Sequence, residues 1–252
     1  MQELPSFSLD LEEIALRLEA LEETIIYHLI ERVQYRLNAR VYERGQSGFE
    51  GFPELSLLDI RLLFHEQMDA QFGRFMVPEE RPFSGNLPQP KRKVNLPRYP
   101  LKLADFNAVN LTAEIKKGYL SFLPDICEKG DDGQYGSTIE HDVFALQAIS
   151  RRIHYGAFFV AESKFQANPP SYTSLIKAKD HLGLLKLLTR PEVEKSIVER
   201  VGQKAALAQA KANRKIRYVL APEAITRFYE QTIIPLTKEG EVLYLLKRPC
   251  ED

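Results

Sequence analysis

"LEEIALRLEALEETIIYHLIERV", residues 11–33, indicates the fold class, because its apolar residues recur every three or four positions. This spacing places them along one face of an α-helix, in which a turn takes 3.6 residues. We predict a helix from Leu11 to Val33. It would begin at Asp10 or Ser8, whose side-chain oxygens can accept hydrogen bonds from the first backbone N–H groups. The apolar face consists of Leu11, Ile14, Leu18, Leu21, Ile25, Leu29 and Val33.

The same periodicity recurs along the chain, and proline and glycine mark its interruptions. We predict further helices over 57–75, 111–127 with Asn110 as cap, 138–166, 171–178, 180–188, 191–212 and 222–248, the last bent at Pro235 and Gly240. Residues 78–100 carry many prolines, which remove backbone donors, and predict an extended crossover. The stretch "EKGDDGQYGS", residues 128–137, predicts a loop with glycine turns. With no alternating strand pattern, the expected fold is all-α: one bundle of long helices forming a single domain over 1–252.

The amino-acid composition argues against several classes of protein function. A formal net charge of −1, with 27% charged residues, indicates neither a nucleic-acid-binding protein nor a membrane-surface protein. The two cysteines, Cys127 and Cys250, lack metal-ligand spacing. The start, "MQELPSFSLDLEE", has neither a basic segment nor an apolar core, so we expect no secretory signal and a cytoplasmic location.

Five polar residues from the later helices lie among apolar neighbours or beside helix breaks. Each alone is better explained as a structural residue than as a functional one. Together they can line a pocket in the bundle core, suited to a small dianionic or polyoxygenated ligand. No activated nucleophile, metal-binding cluster or glycine-rich phosphate loop accompanies them, so we expect neither a metal nor a cofactor. The five residues are Arg152, Lys164, Glu194, Thr237 and Glu241.

Several stretches resemble the plant and fungal type of chorismate mutase. They are "LEETIIYHLIERVQY", "GRFMVPEERPF", "KGDDGQYGS", "LQAISRRIHYG", "VAESKFQ", "YTSLIKAKD" and "IIPLTKEGEVLYLLKR", in the family's order from about Leu11 to Arg248. The resemblance implies an all-helical homodimer that converts chorismate to prephenate on the route to phenylalanine and tyrosine. This reaction is a unimolecular [3,3] rearrangement, which agrees with the expected absence of a cofactor.

The resemblance also implies a role for each of the five residues. Arg152 would pair with one substrate carboxylate, and Thr237 would help to hold the other. Lys164 would donate to the breaking ether oxygen and to a carboxylate. Glu194 would take the substrate hydroxyl. Glu241 would face the ether oxygen, where it can donate only when protonated.

The chain departs from the family pattern at three places. Ala15 stands where the family has an arginine in the first helix, and Arg17 lies about 200° around that helix. The doubled Phe158–Phe159 adds one residue, so Lys164 follows Arg152 by twelve positions instead of eleven. Twelve residues overshoot the helix face by about 120° unless a π-bulge near 157–159 restores the register. Arg190 replaces a frequent asparagine, either as a substrate-binding cation or as a solvated side chain.

Regulation is implied by the resemblance alone. In the family, tyrosine inhibits and tryptophan activates at the dimer interface, through paired arginines after the second helix and a Gly-Ser pair that opens the long helix. This chain keeps Arg74 of the arginine pair, with Gly73 beside it, and keeps Gly136 and Ser137. The alternative function is a weak or inactive homologue that binds chorismate or aromatic amino acids as a regulator.

Overall fold

The computed structural model describes residues 7–249, and all regular structure in that range is helical, with no strand. The predicted all-α class is therefore confirmed. Cys250 lies outside the described residues. The α-helices are α1 Leu11–Arg32, α2 Leu57–Gln71, α3 Thr112–Ile126, α4 Tyr135–Tyr155, α5 Ala161–Ala167, α6 Pro169–Lys177, α7 His181–Leu188, α8 Pro191–Ala208, α9 Pro222–Phe228 and α10 Ile234–Lys247.

Polar side chains cap the first turns of α1 and α3. The Asp10 carboxylate accepts hydrogen bonds from the backbone N–H groups of Glu12 and Glu13, as predicted for one of the two candidate caps. Helix α3 begins one residue later than Asn110 would place it, because Leu111 occupies the N-cap position. The Asn110 side chain nevertheless accepts from the Thr112 N–H group at 2.9 Å.

Several predicted boundaries were wrong. Helix α2 ends at Gln71 instead of 75, because Gly73 takes a left-handed φ of 87° that redirects the chain. Helix α4 begins at Tyr135 instead of 138, so Gly136 and Ser137 are helical and not part of the loop. Pro169 and Pro170 begin α6 as well as ending α5, since proline fits a first helical turn. Helix α8 ends at Ala208 instead of 212.

The crossover between α2 and α3 is extended, as its prolines predict. Residues 78–100 contain no helix, and the next short helical turn is Phe106–Ala108. None of the helices in the described part of the chain is long and apolar enough to cross a membrane.

A π-helical turn, Gly156–Val160, joins α4 to α5 without a break in the helix, and we call it the first π-turn. The predicted bulge near 157–159 is thus confirmed. A π-turn takes up one extra residue while the helix after it keeps its direction. Phe158 and Phe159 are both fully buried. Phe158 packs near Tyr244 of α10, whereas Phe159 stacks on Tyr155.

A second π-turn, Tyr229–Ile233, joins α9 to α10 and was not predicted. It lies directly before Pro235, which has no N–H to donate and whose ring crowds the preceding turn, so the helix widens there. Helix α10 passes through Gly240 without interruption, from Ile234 to Lys247.

Gly240 instead allows two segments to approach closely. A Cβ atom on Gly240 would lie 2.6 Å from the Cβ atom of Ala157 in the first π-turn. A Cβ atom on Gly156 would likewise lie 2.7 Å from the Thr237 methyl group. The first π-turn and α10 therefore pack with almost no side chain between them.

Two hydrophobic clusters meet at this contact. One joins α1 to α3, α4, α9 and the second π-turn, and includes Ile149 and Ile153. The other joins the first π-turn to α5, α6, α7 and α10, and includes Tyr155 and Val242. Arg152 lies between residues of the two clusters, at the point where α4 passes from one to the other.

We expect Gly240→Ala to lower the free energy of unfolding by about 1–3 kcal/mol, the usual cost of overpacking. This loss outweighs the higher helix propensity of alanine, about 1 kcal/mol. Urea denaturation measures the difference. Gly136→Ala is the control, because a Cβ atom on that helical glycine meets nothing within 4 Å. A Gly240→Ala protein as stable as the control would contradict the close packing.

Candidate active site

A cavity of about 110 Å³ lies between α1, α4, α8 and α10, beside the first π-turn. Its wall contains four of the five predicted site residues and also Arg190. Charged and apolar side chains alternate around it, as in a site for a small polar ligand. The lining residues are Leu18, Arg152, Val160, Leu188, Arg190, Val193, Glu194, Ile197, Ile234, Thr237, Lys238 and Glu241.

Arg152 points inward and is 2% exposed. One guanidinium nitrogen, Nη1, donates to the Thr237 hydroxyl at 3.0 Å, and the group lies over the Tyr229 ring. Its buried Nε has no hydrogen-bond partner among the described residues. A buried cation with an unused donor at a cavity wall is suited to a bound anion, because leaving such a donor unpaired is costly.

Thr237 holds Arg152 in place. The Thr237 hydroxyl donates its proton to the Ile233 carbonyl at 2.7 Å and accepts from Arg152. The Ile233 carbonyl is within the second π-turn, where the proline at 235 disturbs the helical hydrogen-bond pattern. To donate to a ligand, the Thr237 hydroxyl must first release Ile233.

Lys164 reaches the same site from α5, in spite of its twelve-residue distance from Arg152. Its ammonium group donates to the Glu241 carboxylate at 3.0 Å and to the Leu188 carbonyl at 3.0 Å. Both partners line the cavity, although Lys164 itself does not. The first π-turn therefore keeps Lys164 in the register that the site requires.

Glu241 is buried, and burial raises its pKa above the usual glutamate range. Lys164 opposes this effect most strongly, followed by Arg152 and Lys238. The Lys164 ammonium occupies Oε2, whereas no described residue hydrogen-bonds to Oε1. A proton on Oε1 can therefore be donated to a ligand in the cavity.

Glu194 and Lys238 form an ion pair across the cavity wall. The Lys238 ammonium lies 3.0 Å from Oε1 and 3.1 Å from Oε2 of Glu194. Lys238 was missed by the sequence analysis, although it directly follows Thr237 and precedes Glu241 by three positions. Arg190 is exposed at the N-cap of α8, at the edge of the cavity.

Known proteins resemble this chain over most of its length. No protein-family model matches the chain. Chorismate mutase 1 of Zea mays, a chloroplastic protein, is 38% identical over 250 residues, covering 95% of this chain and 79% of the relative. Chorismate mutase of Saccharomyces cerevisiae is 38% identical over 253 residues, covering 97% of both. The chain belongs to the chorismate mutase family.

Solved structures extend the likeness to the fold. The crystal structure of the chloroplast chorismate mutase from Zea mays matches with a TM-score of 0.85 at 38% identity, over 98% of each chain. The chorismate mutase of Candida albicans, solved in complex with L-Trp, matches with a TM-score of 0.86 at 37% identity, over 95% of this chain and 92% of that one.

Glu22 is a charged residue close to Arg152 but outside the cavity wall, and it was not predicted. It is fully buried in α1 and accepts two hydrogen bonds from Arg200 of α8, at 2.8 and 3.0 Å. Lys204 lies 3.6 Å from its carboxylate, and Arg152 lies 3.9 Å away. The sequence signal was a carboxylate on the apolar face of α1, one turn from Leu18 and Ile25.

Neither Ala15 nor Arg17 lines the cavity. Ala15 is exposed, and Leu18 is the α1 residue that the cavity contacts. The Arg17 guanidinium lies over the Phe7 ring, 4.9 Å from its centroid. As expected from its position on the helix, Arg17 does not replace an arginine at residue 15.

The predicted effector residues do not come together within one chain. Arg74 binds Asp69, Glu80 and the Gln147 amide, with which Nη1 makes a 2.7 Å hydrogen bond. Gln147 is ten residues along α4 from Ser137, about 15 Å at helical rise. Gly73 leaves no room for a second arginine, because its φ is left-handed and a Cβ atom would meet a Val94 methyl group at 2.5 Å.

No histidine of the described chain lines the cavity. No group of three or more His, Cys, Asp or Glu residues with metal-site geometry occurs within residues 7–249. His154 is a buried structural residue that accepts from the Leu111 N–H group at 3.0 Å. Burial lowers the pKa of His154 to about 3, so this ring is neutral.

We expect Glu22→Gln to lower the free energy of unfolding by about 1.5–3 kcal/mol, because it removes a buried carboxylate hydrogen-bonded to a cation. Glu199→Gln is the matched control: Glu199 is exposed and pairs only with Lys195, one turn away on the same helix. We expect it to change stability by less than about 0.5 kcal/mol. Equal effects in urea denaturation would show that the Glu22 cluster contributes nothing.

Proposed function

We propose that this member of the family is an active chorismate mutase, which rearranges chorismate to prephenate in phenylalanine and tyrosine biosynthesis. The observation that carries this proposal is that Arg152 and Glu241 line one cavity, while Lys164, beyond the first π-turn, binds Glu241 at its wall. The reaction is intramolecular, so the protein needs to hold the substrate in one reactive conformer and to stabilise the charge that develops on its ether oxygen. Positioning and pre-aimed donors account for both requirements.

The catalytic assignments follow from the contacts. Arg152 pairs with one substrate carboxylate through its unused Nε, and Thr237 reaches the other carboxylate after its hydroxyl leaves the Ile233 carbonyl. Lys164 donates to the ether oxygen with the N–H that Glu241 and Leu188 leave free, and it reaches a carboxylate by releasing one of these two partners. Arg190 at the cavity edge adds a cation for substrate binding.

Glu194 and Glu241 take different roles because their surroundings differ. Glu194 is paired with Lys238 at the cavity wall, and its carboxylate oxygens can accept a hydrogen bond from the substrate hydroxyl. Glu241 is buried, which favours the protonated form that donates to the ether oxygen. One pre-aimed donor of this kind typically contributes about 3–4 kcal/mol to the transition state.

We also propose a homodimer. Phe64, Met68 and Phe72 are exposed and lie four residues apart on one face of α2. Such a row is suited to burial against a second copy. Tyrosine or tryptophan would bind where Arg74 of one subunit meets Gly136 and Ser137 of the other, since one chain does not bring them together.

The location and domain boundaries are proposals as well. The free, buried Cys127 fits a reducing compartment such as the cytoplasm, although the maize relative is chloroplastic. We propose that residues 1–252 act as one domain, because the cavity draws on helices from α1 to α10.

The first test is chorismate depletion across a range of pH. We expect turnover that falls as pH rises through the raised pKa of Glu241, since the deprotonated carboxylate cannot donate. Glu241→Gln keeps a donor at all pH values, so its rate should vary little over the same range. Binding of chorismate without turnover would refute the enzyme proposal, and a falling limb that survives in Glu241→Gln would refute the role of Glu241.

The second test concerns assembly. We expect analytical ultracentrifugation to give a dimer for the wild-type protein and a monomer for Met68→Glu/Phe72→Glu, because two charges on the α2 face oppose burial. Leu182→Glu is the control, since Leu182 on α7 is an apolar residue that is more exposed than Met68 and Phe72. A dimer that persists in the double variant would exclude the α2 face.

A further inference from the structure

A buried carboxylate on α5, Glu162, is hydrogen-bonded within the protein and does not line the cavity. The Tyr244 hydroxyl donates to its Oε2 at 2.7 Å, and Arg248 donates to both carboxylate oxygens, at 2.9 and 3.2 Å. Gln166 donates to Oε1 at 3.0 Å. We call these four residues the Glu162 cluster. A carboxylate has about four acceptor positions, so these bonds leave Glu162 little capacity for a ligand.

Glu162 and Lys164 attach α5 to α10 from two sides. Two residues correspond to about 200° around a helix, so the two side chains leave α5 in nearly opposite directions. Their partners are nevertheless on one helix, because Lys164 binds Glu241 and Glu162 binds Tyr244. Glu241 and Tyr244 are three residues apart and share one face of α10. Helix α5 is therefore held on both sides of its contact with α10.

The surface of α5 between the two attachments is also packed. Phe165 lies there, and the Arg248 guanidinium that binds Glu162 covers its ring, 3.8 Å from the centroid. The Tyr244 hydroxyl accepts from the backbone N–H of Lys102 at 3.1 Å, which directs the hydroxyl proton toward Glu162. Rotation of α5 about its axis would break several of these buried contacts at once.

Helix α5 depends on such contacts because it is short. It has seven residues, Ala161–Ala167, between the first π-turn and the proline that begins α6. A helix of this length is not stable by itself, and tertiary packing decides its orientation. Contacts on the Glu162 side therefore influence where Lys164, on the other side, can reach.

We propose that the Glu162 cluster positions Lys164: it fixes the rotation of α5 and so holds the Lys164 ammonium against Glu241 at the cavity wall. The inference rests on the proposed function, in which Lys164 donates to the substrate. Glu162 itself does not touch the substrate and acts only through Lys164. The first π-turn gives α5 the required rotation, and the Glu162 cluster maintains it.

This role has a consequence for the pH profile that a purely structural carboxylate would lack. Lys164 is the cation that most strongly opposes the rise of the Glu241 pKa on burial. If α5 loosens, the ammonium moves away and the pKa of Glu241 rises further. Activity that needs protonated Glu241 then persists to higher pH. The charged and titratable groups around Glu241 are Arg152 from α4, Lys164 from α5, Tyr172 from α6, Arg190 and Glu194 at the start of α8, and Lys238 from α10.

The experiment compares Glu162→Gln and Tyr244→Phe with the control Asp142→Asn. Asp142 is also a fully buried carboxylate, and it accepts from Arg32 at 2.6 Å and from Tyr119 at 2.7 Å. It lies in the first half of α4, separated from α5 by the rest of that helix and the first π-turn. The control therefore loses a comparable buried network that does not hold α5.

We expect Glu162→Gln to lower the kcat for chorismate about 10- to 100-fold, because a displacement of about 1 Å in a catalytic group is enough for such a loss. KM should change less, since Arg152 and Thr237 still bind the substrate. The falling limb of the pH profile should move to higher pH. Tyr244→Phe removes one hydroxyl and no charge, so it should change kcat and the limb in the same directions by smaller amounts. Asp142→Asn should lower the stability in urea but keep the wild-type kcat and pH limb.

The direction of the change in pKa separates displacement of Lys164 from a simple change of charge. Removing the Glu162 charge by itself would lower the pKa of Glu241, whereas displacement of Lys164 raises it. Carbon-13 NMR titration of the Glu241 carboxyl, assigned by comparison with Glu241→Gln, measures this pKa without turnover.

The NMR titration also separates this inference from the proposed function. A raised Glu241 pKa in Glu162→Gln and Tyr244→Phe supports the positioning role even if the wild-type protein proves inactive, a result that would refute the proposed function alone. An unchanged or lowered Glu241 pKa in both variants would overturn the inference and leave Glu162 a structural residue like Asp142.

Discussion

The close contact between the first π-turn and α10 is the constraint on which the site depends. Gly156 and Gly240 remove the side chains that would hold the two segments apart, and Ala157 fills the remaining space. At this separation the short Thr237 side chain reaches Arg152 directly. Alanine at either glycine would push α10 outward, and the hydrogen bonds across the contact would lengthen together.

The π-turn and the glycine contact both determine how Lys164 of α5 lies relative to Glu241 of α10. The π-turn sets the rotation of α5 around its axis, and so decides whether Lys164 faces α10. The glycine contact sets the distance from α5 to α10, and so decides whether Lys164 reaches Glu241. Because both conditions have to hold, the extra phenylalanine is accommodated by local widening of the helix, while the direction of α5 is kept.

Buried charge is tolerated here because each group has a specific partner. Glu22 is fully buried, but Arg200 pairs with it at both oxygens. Arg152 is nearly as buried and has only a hydroxyl partner, an aromatic ring and a distant carboxylate. Desolvating a charge without full compensation is costly, so the free protein holds Arg152 in a state that a bound carboxylate improves. The buried positive charge of Arg152 therefore favours binding of an anion before any ligand is present.

Sequence reasoning was most successful where one local rule decides the structure. Apolar periodicity predicted the helices, and comparing the Arg152-to-Lys164 separation with the family's usual eleven residues predicted the first π-turn. The helix ends at Gln71 and Ala208 were not predicted, because local backbone geometry and tertiary hydrogen bonds terminate those helices. The roles of Glu22 and Lys238 were not predicted either, since the charged partners of each lie on another helix. A carboxylate on an apolar face and a lysine beside a threonine look like ordinary surface residues until the helices are brought together.

The distribution of charge explains how the chain can dispense with a cation in the first helix. Helix α1 contributes a carboxylate, Glu22, which binds Arg200 and Lys204 on the side of α1 that faces α8. The cations that line the cavity come from α4, the start of α8 and α10. Leu18 is the α1 residue that lines the cavity, and the exposed Ala15 lies about one turn before it. The cavity therefore receives much of its positive charge from the α8–α10 side. This side stays close to α4 because Gly240 packs against the first π-turn.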